Sequence, residues 1–389
     1  MMEIKEYLNE MFSTTFQENP EKYFSCGGRF EVLGNHTDHN HGLCIAATCN
    51  LSVYAAVKTR KDKIVRILSE GYGNYEIDLT NLNKLTEEEG RPTALIRGIA
   101  KFLSDDNYKI LGFDAYVKTD IPKGAGVSSS AGFELLIAEL FNALHNDNKI
   151  PLLELCKAGQ HAENNYYGKM SGLLDQIGVG YGGLSYIDFA EFTHPIVDTL
   201  DVNFDDYQFI IVNTGVDHSA LSPLYDSIPK DMFKVADFFA HGFLRDVNYK
   251  DVLENKDKII KECGELAYNR AEHFFRENER VSKAYEALKL HNIPVLIKMM
   301  NESRESSTKL LQNMYVDKKA GSPLEACELI YKASNKKAGV KVNGGGFAGS
   351  VIALVPKDEV SNVVKAAKAK YGKDNVYLVS VREEQPTEF

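Results

Sequence analysis

Residues 121–131, with the sequence IPKGAGVSSSA, constrain the fold more than any other segment of the chain. Before them, Phe113, Ala115 and Val117 alternate as in a strand, and from Ser128 onwards apolar residues recur at helical spacing. Gly124 and Gly126 let the backbone approach an anion closely. Because a helix N-terminus also favours phosphate, the pattern predicts a strand, a phosphate loop and a helix in succession.

The residues of this loop leave two interpretations open. The serines at positions 128, 129 and 130 could cap the helix after a glycine turn, or their hydroxyls could bind phosphate or Mg²⁺. Three consecutive serines after two spaced glycines exceed what a cap requires, which favours phosphate. The loop is not a Walker A motif, because the chain contains no GxxxxGK[ST].

A second polar segment occupies residues 28–40, with the sequence GRFEVLGNHTDHN. It gathers an arginine, an aspartate, two histidines and two asparagines around a short apolar run. Carboxylates and planar donors held in fixed positions suit sugar hydroxyls. The segment therefore predicts a pocket for a small polyol.

Length and composition exclude several classes of protein. A chain of 389 residues favours two domains. A net charge of −10 argues against a nucleic-acid partner, and no apolar run approaches the length of a membrane span. The six cysteines have neither metal-ligand nor disulfide spacing, and the N-terminus does not resemble a signal peptide. We therefore expect a cytoplasmic protein.

The order of predicted elements indicates an α+β protein. Strand patterns at 44–57, 64–69, 112–118, 184–189 and 207–213 precede a mostly helical stretch at 226–330. Strand-like runs return at 339–343, 350–355 and 375–381, and we place the two domains at residues 1–190 and 191–389. The GxGxxG matches at 178–183 and 344–349 precede strands rather than helices, which argues against a dinucleotide site.

Two acidic residues lie in less distinctive contexts. Asp175 is framed by apolar residues and glycines, so it is either a helix N-cap or a functional carboxylate. Glu163 lies on a predicted helix, where most glutamates are solvated. His241 and His273 are expected to be structural histidines.

Taken in order, these segments resemble the GHMP kinases, and among them the galactokinases. Residues 28–42 are similar to the signature G-R-x-N-x-I-G-E-H-T-D-Y-N-x-G, and residues 122–131 to the phosphate loop. Glu163 falls in Q-x-A-E, Asp175 in G-x-x-D-Q, and Tyr225 follows His218 at the family spacing. Residues 342–351 resemble the motif T-G-G-G-F-G-G. The resemblance implies a two-domain GHMP kinase fold with the active site in the cleft between domains.

It also implies an ATP-dependent sugar 1-kinase, with galactose as the first choice of substrate. Arg29 and Asp175 are the implied catalytic pair: Asp175 accepts or orients the hydroxyl proton, and Arg29 stabilises the phosphoryl charge. Ser129, Ser130 and Glu163 are the implied Mg²⁺ ligands. The implied sugar contacts are Asn35, His36, Thr37, Asp38, Gly172 and Tyr225. The implied ATP contacts are Gly124, Ala125, Gly126, Val127, Ser128, Ser129, Ser130 and Ala131.

The departures from the family pattern keep alternatives open. Asn35 replaces a glutamate that faces the sugar's C6 hydroxyl in galactokinases, which removes a charge that would repel a uronate. Arabinose, a uronic acid or a modified hexose is therefore the alternative substrate. A non-catalytic sugar sensor is a further alternative, although the retained phosphoryl-transfer groups count against it.

The chain has no tryptophan, so its adenine contacts must differ from the family's. We expect a monomer or weak homo-oligomer.

Overall fold

The structure is a computed structural model that describes residues 2–122, 124–215, 221–317 and 319–389. Two predicted positions, Lys123 in the phosphate loop and His218 upstream of Tyr225, lie outside the described residues. The mixed α+β class is confirmed, with two sheets and helices packed against both. None of the described helices is long and apolar enough to cross a bilayer.

The strands are, in chain order, β1 Lys22–Leu33, β2 Leu43–Thr59, β3 Ile64–Ser69, β4 Gly73–Asp78, β5 Phe113–Thr119, β6 Leu184–Asp188, β7 Ile196–Leu200, β8 Tyr207–Asn213, β9 Gly339–Asn343, β10 Ser350–Pro356, β11 Val376–Val379 and β12 Thr387–Glu388. The α-helices are α1 Met2–Phe16, α2 Pro92–Asp105, α3 Ser129–His145, α4 Leu152–His161, α5 Leu174–Gly180, α6 Ser222–Phe238, α7 Tyr249–Glu254, α8 Lys256–Cys263, α9 Glu265–Lys289, α10 Ile293–Ser306, α11 Pro323–Ala333 and α12 Val360–Tyr371. Short π-helical turns follow α4 at Ala162–Tyr167 and α10 at Ser307–Leu311.

The first sheet has the order β12-β1-β2-β5-β3-β4, and β6 and β7 extend it from the other half of β2. Helices α2 to α5 cover it, because their apolar residues share one core with the strands. In α3, Leu136, Leu140 and Phe141 are fully buried in that core. The helix is thereby fixed with its N-terminus beside β1.

The second sheet has the order β11-β8-β10-β9. The two sheets share a hydrophobic core that joins Phe30 and Ile45 of the first to Ile211 and Ile352 of the second. The rings of Phe30 and Phe209 are 4.7 Å apart. This contact brings β1 to the end of the second sheet, where β9 and β10 meet the phosphate loop.

Most predicted elements exist, and the position of the predicted division at residue 190 can be described relative to them. It falls between β6 and β7, which pair with each other. The first sheet therefore continues to Leu200, and it also takes in β12 near the C-terminus, where Phe24 faces Glu388. The sequence reasoning also missed α1, β1 and β4. β1 includes the first half of the polar segment, so Arg29 lies on a strand and not in a loop.

Candidate active site

Two cavities meet at the start of α3. One, of about 410 Å³, is lined by polar groups that include Arg29, His36, Asp38 and Asp175. The other, of about 450 Å³, is more apolar, and its lining includes Tyr72, Tyr75, Pro92, Leu95, Phe133 and Tyr167. Both cavities are lined by Ser129, Ser130 and Lys169. A hydroxyl-rich molecule and a planar aromatic one could therefore meet at these three residues.

Arg29 and Asp175 form an ion pair in the polar cavity. Arg29 Nε and Nη2 each lie 2.7 Å from Asp175 Oδ1, and Nη1 donates to the carbonyl of Gly126 at 2.9 Å. The guanidinium is therefore fixed between the acid and the phosphate loop, with N–H groups left for another anion. The structure thus brings together two residues that are far apart in sequence.

The Asp175 carboxylate is held in its ionised form. Burial raises its pKa, but the charges of Arg29 and Lys169 and the Ser128 hydroxyl outweigh burial, so the pKa lies below its usual value. Asp175 lies in the first turn of α5, but its side chain bonds to Arg29 and Ser128. The alternative of a simple helix N-cap is therefore wrong.

The phosphate loop is shaped by close contacts. Gly124 and Gly126 both have positive φ, and a Cβ on Gly126 would stand 2.0 Å from Ser350 Oγ. Ser128 precedes α3 with a φ of 49° and makes no side-chain cap, because its hydroxyl donates to Asp175. The capping interpretation of Ser128 is wrong. The loop leaves the helix N-terminus facing the cavity, which suits phosphate.

Seven of the eight predicted loop residues line the polar cavity, and the eighth, Ala131, does not. Gly124, Ala125, Gly126, Val127, Ser128, Ser129 and Ser130 line the polar cavity. Ala131 lines neither cavity and is 1% exposed, because it faces the hydrophobic core one residue further along α3.

Glu163 is buried, contrary to the alternative of a solvated glutamate. It is 2% exposed on the Ala162–Tyr167 turn. Lys169 Nζ lies 2.5 Å from its Oε1, and Ser171 Oγ donates to its Oε2 at 2.6 Å. Ser130 Oγ is 3.5 Å from Oε1. A buried carboxylate beside the serine loop can therefore hold a cation, as its contact with the ammonium of Lys169 shows.

His36 is a neutral hydrogen-bonding group in the wall of the polar cavity. Its Nε2 lies 2.9 Å from the carbonyl of Gly345, which can only accept, so Nε2 carries the proton. Burial lowers the pKa of His36 to about 3. Nδ1 is therefore an acceptor, and it is buried without a protein partner in the described structure. His36 therefore contributes an uncharged part of the cavity wall, while Nδ1 faces the protein interior.

Asp38, Gly172 and Tyr225 also line the polar cavity. The buried Asp38 carboxylate lies 3.5 Å from His39 Nε2. Tyr225, on α6, donates its hydroxyl to the carbonyl of Gly346 at 3.0 Å. Thr37 does not reach the cavity, because its buried hydroxyl donates to the carbonyls of Gly34 and Leu43. The hydroxyl of Thr37 therefore shapes the turn, and its sugar contact stays a prediction.

Asn35 is fully buried in the cavity wall, and its amide is bonded to the protein. Nδ2 donates to the Gly344 carbonyl at 2.7 Å and to Glu31 Oε1 at 3.1 Å. Oδ1 accepts from Asn313 Nδ2 at 2.8 Å. His273 lies 3.0 Å from the backbone carbonyl of Asn35, which confirms that this histidine has a structural role.

The sequence reasoning missed a buried ion pair beside Asn35. Lys341 Nζ, which is 0% exposed, lies 2.7 Å from Glu31 Oε1. Burial raises the pKa of Glu31, and Lys341 acts in the opposite direction. The sequence does contain a sign of this exchange. The signature has asparagine where this chain has Glu31, and glutamate where this chain has Asn35. Lys169 was missed because nothing in its neighbouring sequence distinguishes it from a surface lysine.

The sequence matches three family descriptions. Residues 10–59 match the galactokinase galactose-binding signature, residues 94–183 the GHMP kinases N terminal domain, and residues 284–373 the GHMP kinases C terminal domain. The galactokinase of Glaesserella parasuis is 30% identical over 89% of this chain and 88% of its own length. The galactokinase of Lactococcus lactis is 29% identical over 94% of this chain and 90% of its own length.

Solved structures agree with this assignment. The crystal structure of Lactococcus lactis galactokinase complexed with galactose has a TM-score of 0.85 at 26% identity, covering 99% of this chain and 100% of that one. The Methanococcus jannaschii mevalonate kinase shares the fold, with a TM-score of 0.64 at 17% identity. The match covers 92% of this chain and 98% of that one. The chain therefore belongs to the GHMP kinase family and, within it, to the galactokinases.

Proposed function

We propose that this chain transfers the γ-phosphoryl group of ATP to the C1 hydroxyl of galactose, releasing galactose 1-phosphate and ADP. It is a sugar kinase, a phosphotransferase with an alcohol acceptor. One observation carries the proposal. A polar cavity and a cavity rich in aromatic residues meet at Ser129, Ser130 and Lys169, where a γ-phosphoryl group would lie between sugar and nucleotide.

The polar cavity supplies the sugar contacts. Asp38 accepts hydrogen bonds from sugar hydroxyls through its carboxylate, and His36 forms part of the cavity wall against which the sugar packs. Gly172 allows Asp38 its position, and Tyr225 closes one side of the cavity. These contacts orient the C1 hydroxyl towards Asp175 and the phosphate loop.

The chemical step needs mainly positioning and charge stabilisation. The C1 oxygen attacks the γ-phosphorus while the bond to the β–γ bridging oxygen breaks. Asp175, whose pKa is lowered, is a weak base that orients the hydroxyl and takes its proton as the new P–O bond forms. The guanidinium of Arg29, fixed by Asp175 and Gly126, stabilises negative charge on the phosphoryl oxygens.

The aromatic cavity would hold the adenine of ATP. Phe133 and Tyr167 line it together with Pro92 and Leu95. Stacking on these rings needs no tryptophan. The phosphates would then lie along the glycine-serine loop, at the N-terminus of α3.

Glu163 and Ser130 fit a Mg²⁺ site, with Ser129 beside them. Within the described residues no three His, Cys, Asp or Glu side chains gather to hold a metal by themselves. Mg²⁺ in kinases commonly takes one or two protein carboxylates together with substrate phosphates, so a buried Glu163 with a serine hydroxyl suffices. When bound, the ion would neutralise phosphate charge. Glu163 also forms an ion pair with Lys169.

The cysteines bear on the cellular setting. All six cysteines are free thiols, which fits the reducing cytoplasm that the sequence predicts. A monomeric or weakly oligomeric state remains a prediction.

ADP release measured with a panel of sugars tests the function. Galactose, L-arabinose, galacturonate and 6-deoxygalactose would each be compared with a sugar-free blank. We expect galactose to be turned over fastest. If galactose matches the blank while another sugar is phosphorylated, the substrate assignment is wrong; if every sugar binds but none is phosphorylated, the chain is a sensor.

A further inference from the structure

Glu31 lies on the same face of β1 as Arg29. The strand pairs regularly with β2 here, because Arg29 faces Thr48, Phe30 faces Ala47 and Glu31 faces Ala46. Alternate side chains of a strand point to one side and lie about 7 Å apart. Phe30 accordingly points into the core, whereas Arg29 and Glu31 both line the polar cavity. Glu31 therefore lies two residues along β1 from Arg29, which marks the end of the cavity where the phosphoryl group would be transferred.

The two oxygens of the Glu31 carboxylate have unequal partners. Oε1 receives Lys341 Nζ at 2.7 Å and Asn35 Nδ2 at 3.1 Å. Among the residues that the structure describes, Oε2 accepts a hydrogen bond only from the same amide, at 3.4 Å. A carboxylate oxygen can accept two hydrogen bonds, and a buried one is costly without donors. Oε2 therefore has capacity for a donor from a ligand in the cavity.

Asn35 has less capacity for a ligand. Its amide donates to Glu31 and to Gly344, and it accepts from Asn313, while the residue is 0% exposed. The amide thus positions Glu31 and the glycine-rich turn at 344–346. The carboxylate that the family signature places at position 35 is retained in this chain, but on the neighbouring side chain of Glu31.

We propose that Glu31 accepts a hydrogen bond from a sugar hydroxyl remote from C1 and is thereby a specificity-determining residue, with Asn35 as its positioning residue. The inference rests on the proposed sugar kinase function and deepens it. Because a hydroxyl can donate to Oε2 and a second carboxylate cannot, the site selects a neutral sugar with a hydroxyl at this place and rejects a uronate. Asn35 considered alone would favour the uronate.

The test compares deoxy sugars in wild-type and altered enzyme. Removing only the Glu31 charge would leave Lys341 buried and unpaired, which is strongly destabilising. Glu31→Leu is therefore combined with Lys341→Met, and Glu31→Gln with Lys341→Met serves as the matched variant that keeps an acceptor oxygen. The measured quantity is the ratio of kcat/KM for galactose to that for 4-deoxygalactose and for 6-deoxygalactose.

In the wild type we expect one of these ratios to be about tenfold or more, the usual effect of losing a hydrogen bond to a charged group. In the leucine variant that ratio should fall to near one, and in the glutamine variant it should recover in part. Thermal unfolding and the KM for ATP verify that both variants fold. Ratios that stay at the wild-type value in the leucine variant would overturn the role of Glu31. Absence of wild-type turnover with galactose would instead count against the proposed function, and calorimetric binding of the same sugars would still test Glu31.

Discussion

The Asp38 carboxylate occupies the space in which a side chain at position 172 would lie. An ideal Cβ on Gly172 would stand 2.0 Å from Asp38 Oδ2 and 2.9 Å from its Cγ. The φ of Gly172 is not positive, so the close approach alone requires glycine here. Position 172 therefore determines where the acidic group of the polar cavity can lie.

Gly172→Ala should displace Asp38 and weaken sugar binding. We expect the KM for the sugar to rise about tenfold or more, because a hydrogen bond to a charged group is lost, while the KM for ATP stays within about twofold. Gly242→Ala is the matched control, since no atom lies within 4 Å of a Cβ there. Steady-state kinetics at varied sugar concentration and fixed ATP concentration measures the KM for the sugar. An unchanged KM for the sugar would show that Asp38 does not hold the sugar.

Asp175→Asn should abolish most turnover while sugar binding persists. The amide cannot take the hydroxyl proton, and it also weakens the bond that fixes Arg29, so kcat should fall by about 10²- to 10⁴-fold. The sugar dissociation constant from calorimetry should change little. The exposed Asp106, changed to Asn, controls for the substitution itself. Wild-type turnover in Asp175→Asn would remove Asp175 from the mechanism.

Phe133→Ala should weaken ATP binding selectively. The ring lines the aromatic cavity, and loss of a stacking surface for the base should raise the KM for ATP by about tenfold, with the sugar KM unchanged. Phe102→Ala is a close control, because Phe102 packs half-buried against the same core but lines neither cavity. Equal effects of the two variants on ATP kinetics would place the base elsewhere.

His273 should make the protein less stable in mild acid. Burial lowers its pKa to about 4 from the ordinary histidine value of 6.5, so between these pH values the unfolded chain binds a proton that the folded one does not. Stability is therefore lost as the pH falls through this window, by about 1.4 kcal/mol per pH unit at most and roughly 3 kcal/mol in all. Urea unfolding at several pH values between 7 and 4 measures the slope.

The control compares how steeply the free energy of unfolding falls with pH in the wild type and in two histidine variants. His273→Gln is expected to be destabilised at pH 7, because the contacts to Asn35 and Ser306 change, but its stability should fall less steeply with acid. His241→Gln, at an exposed position, should keep the wild-type slope. If His273→Gln also keeps the wild-type slope, another buried group causes the acid sensitivity.

Sequence reasoning predicted the elements whose local pattern is strong. The alternation at 112–118 and the helical spacing after Ser128 identified β5 and α3 closely. β1 was missed because its residues from Ser25 to Leu33 are all buried, and polar residues in that run obscure the period-two pattern. Local pattern thus located the phosphate loop but not the strand that carries Arg29.

What could not be predicted depends on contacts between distant residues. The direction of the Asn35 side chain is set by Asn313 and Gly344, roughly three hundred residues away. The turn from Gly34 to Asn35 is supported by Glu277, whose carboxylate accepts from both backbone N–H groups. No local pattern encodes such partners. The motifs therefore identified which residues meet at the site, but not which of them face the cavity.

The buried lysine at position 341 limits which single changes this pocket tolerates. Asn35→Glu alone would place a second carboxylate beside that of Glu31, and each would raise the other's pKa. Glu31→Asn alone would leave the buried Lys341 without its carboxylate, and an unpaired buried charge destabilises by about 3–5 kcal/mol. Neither single change is neutral, so exchanging the two side chains requires both changes together.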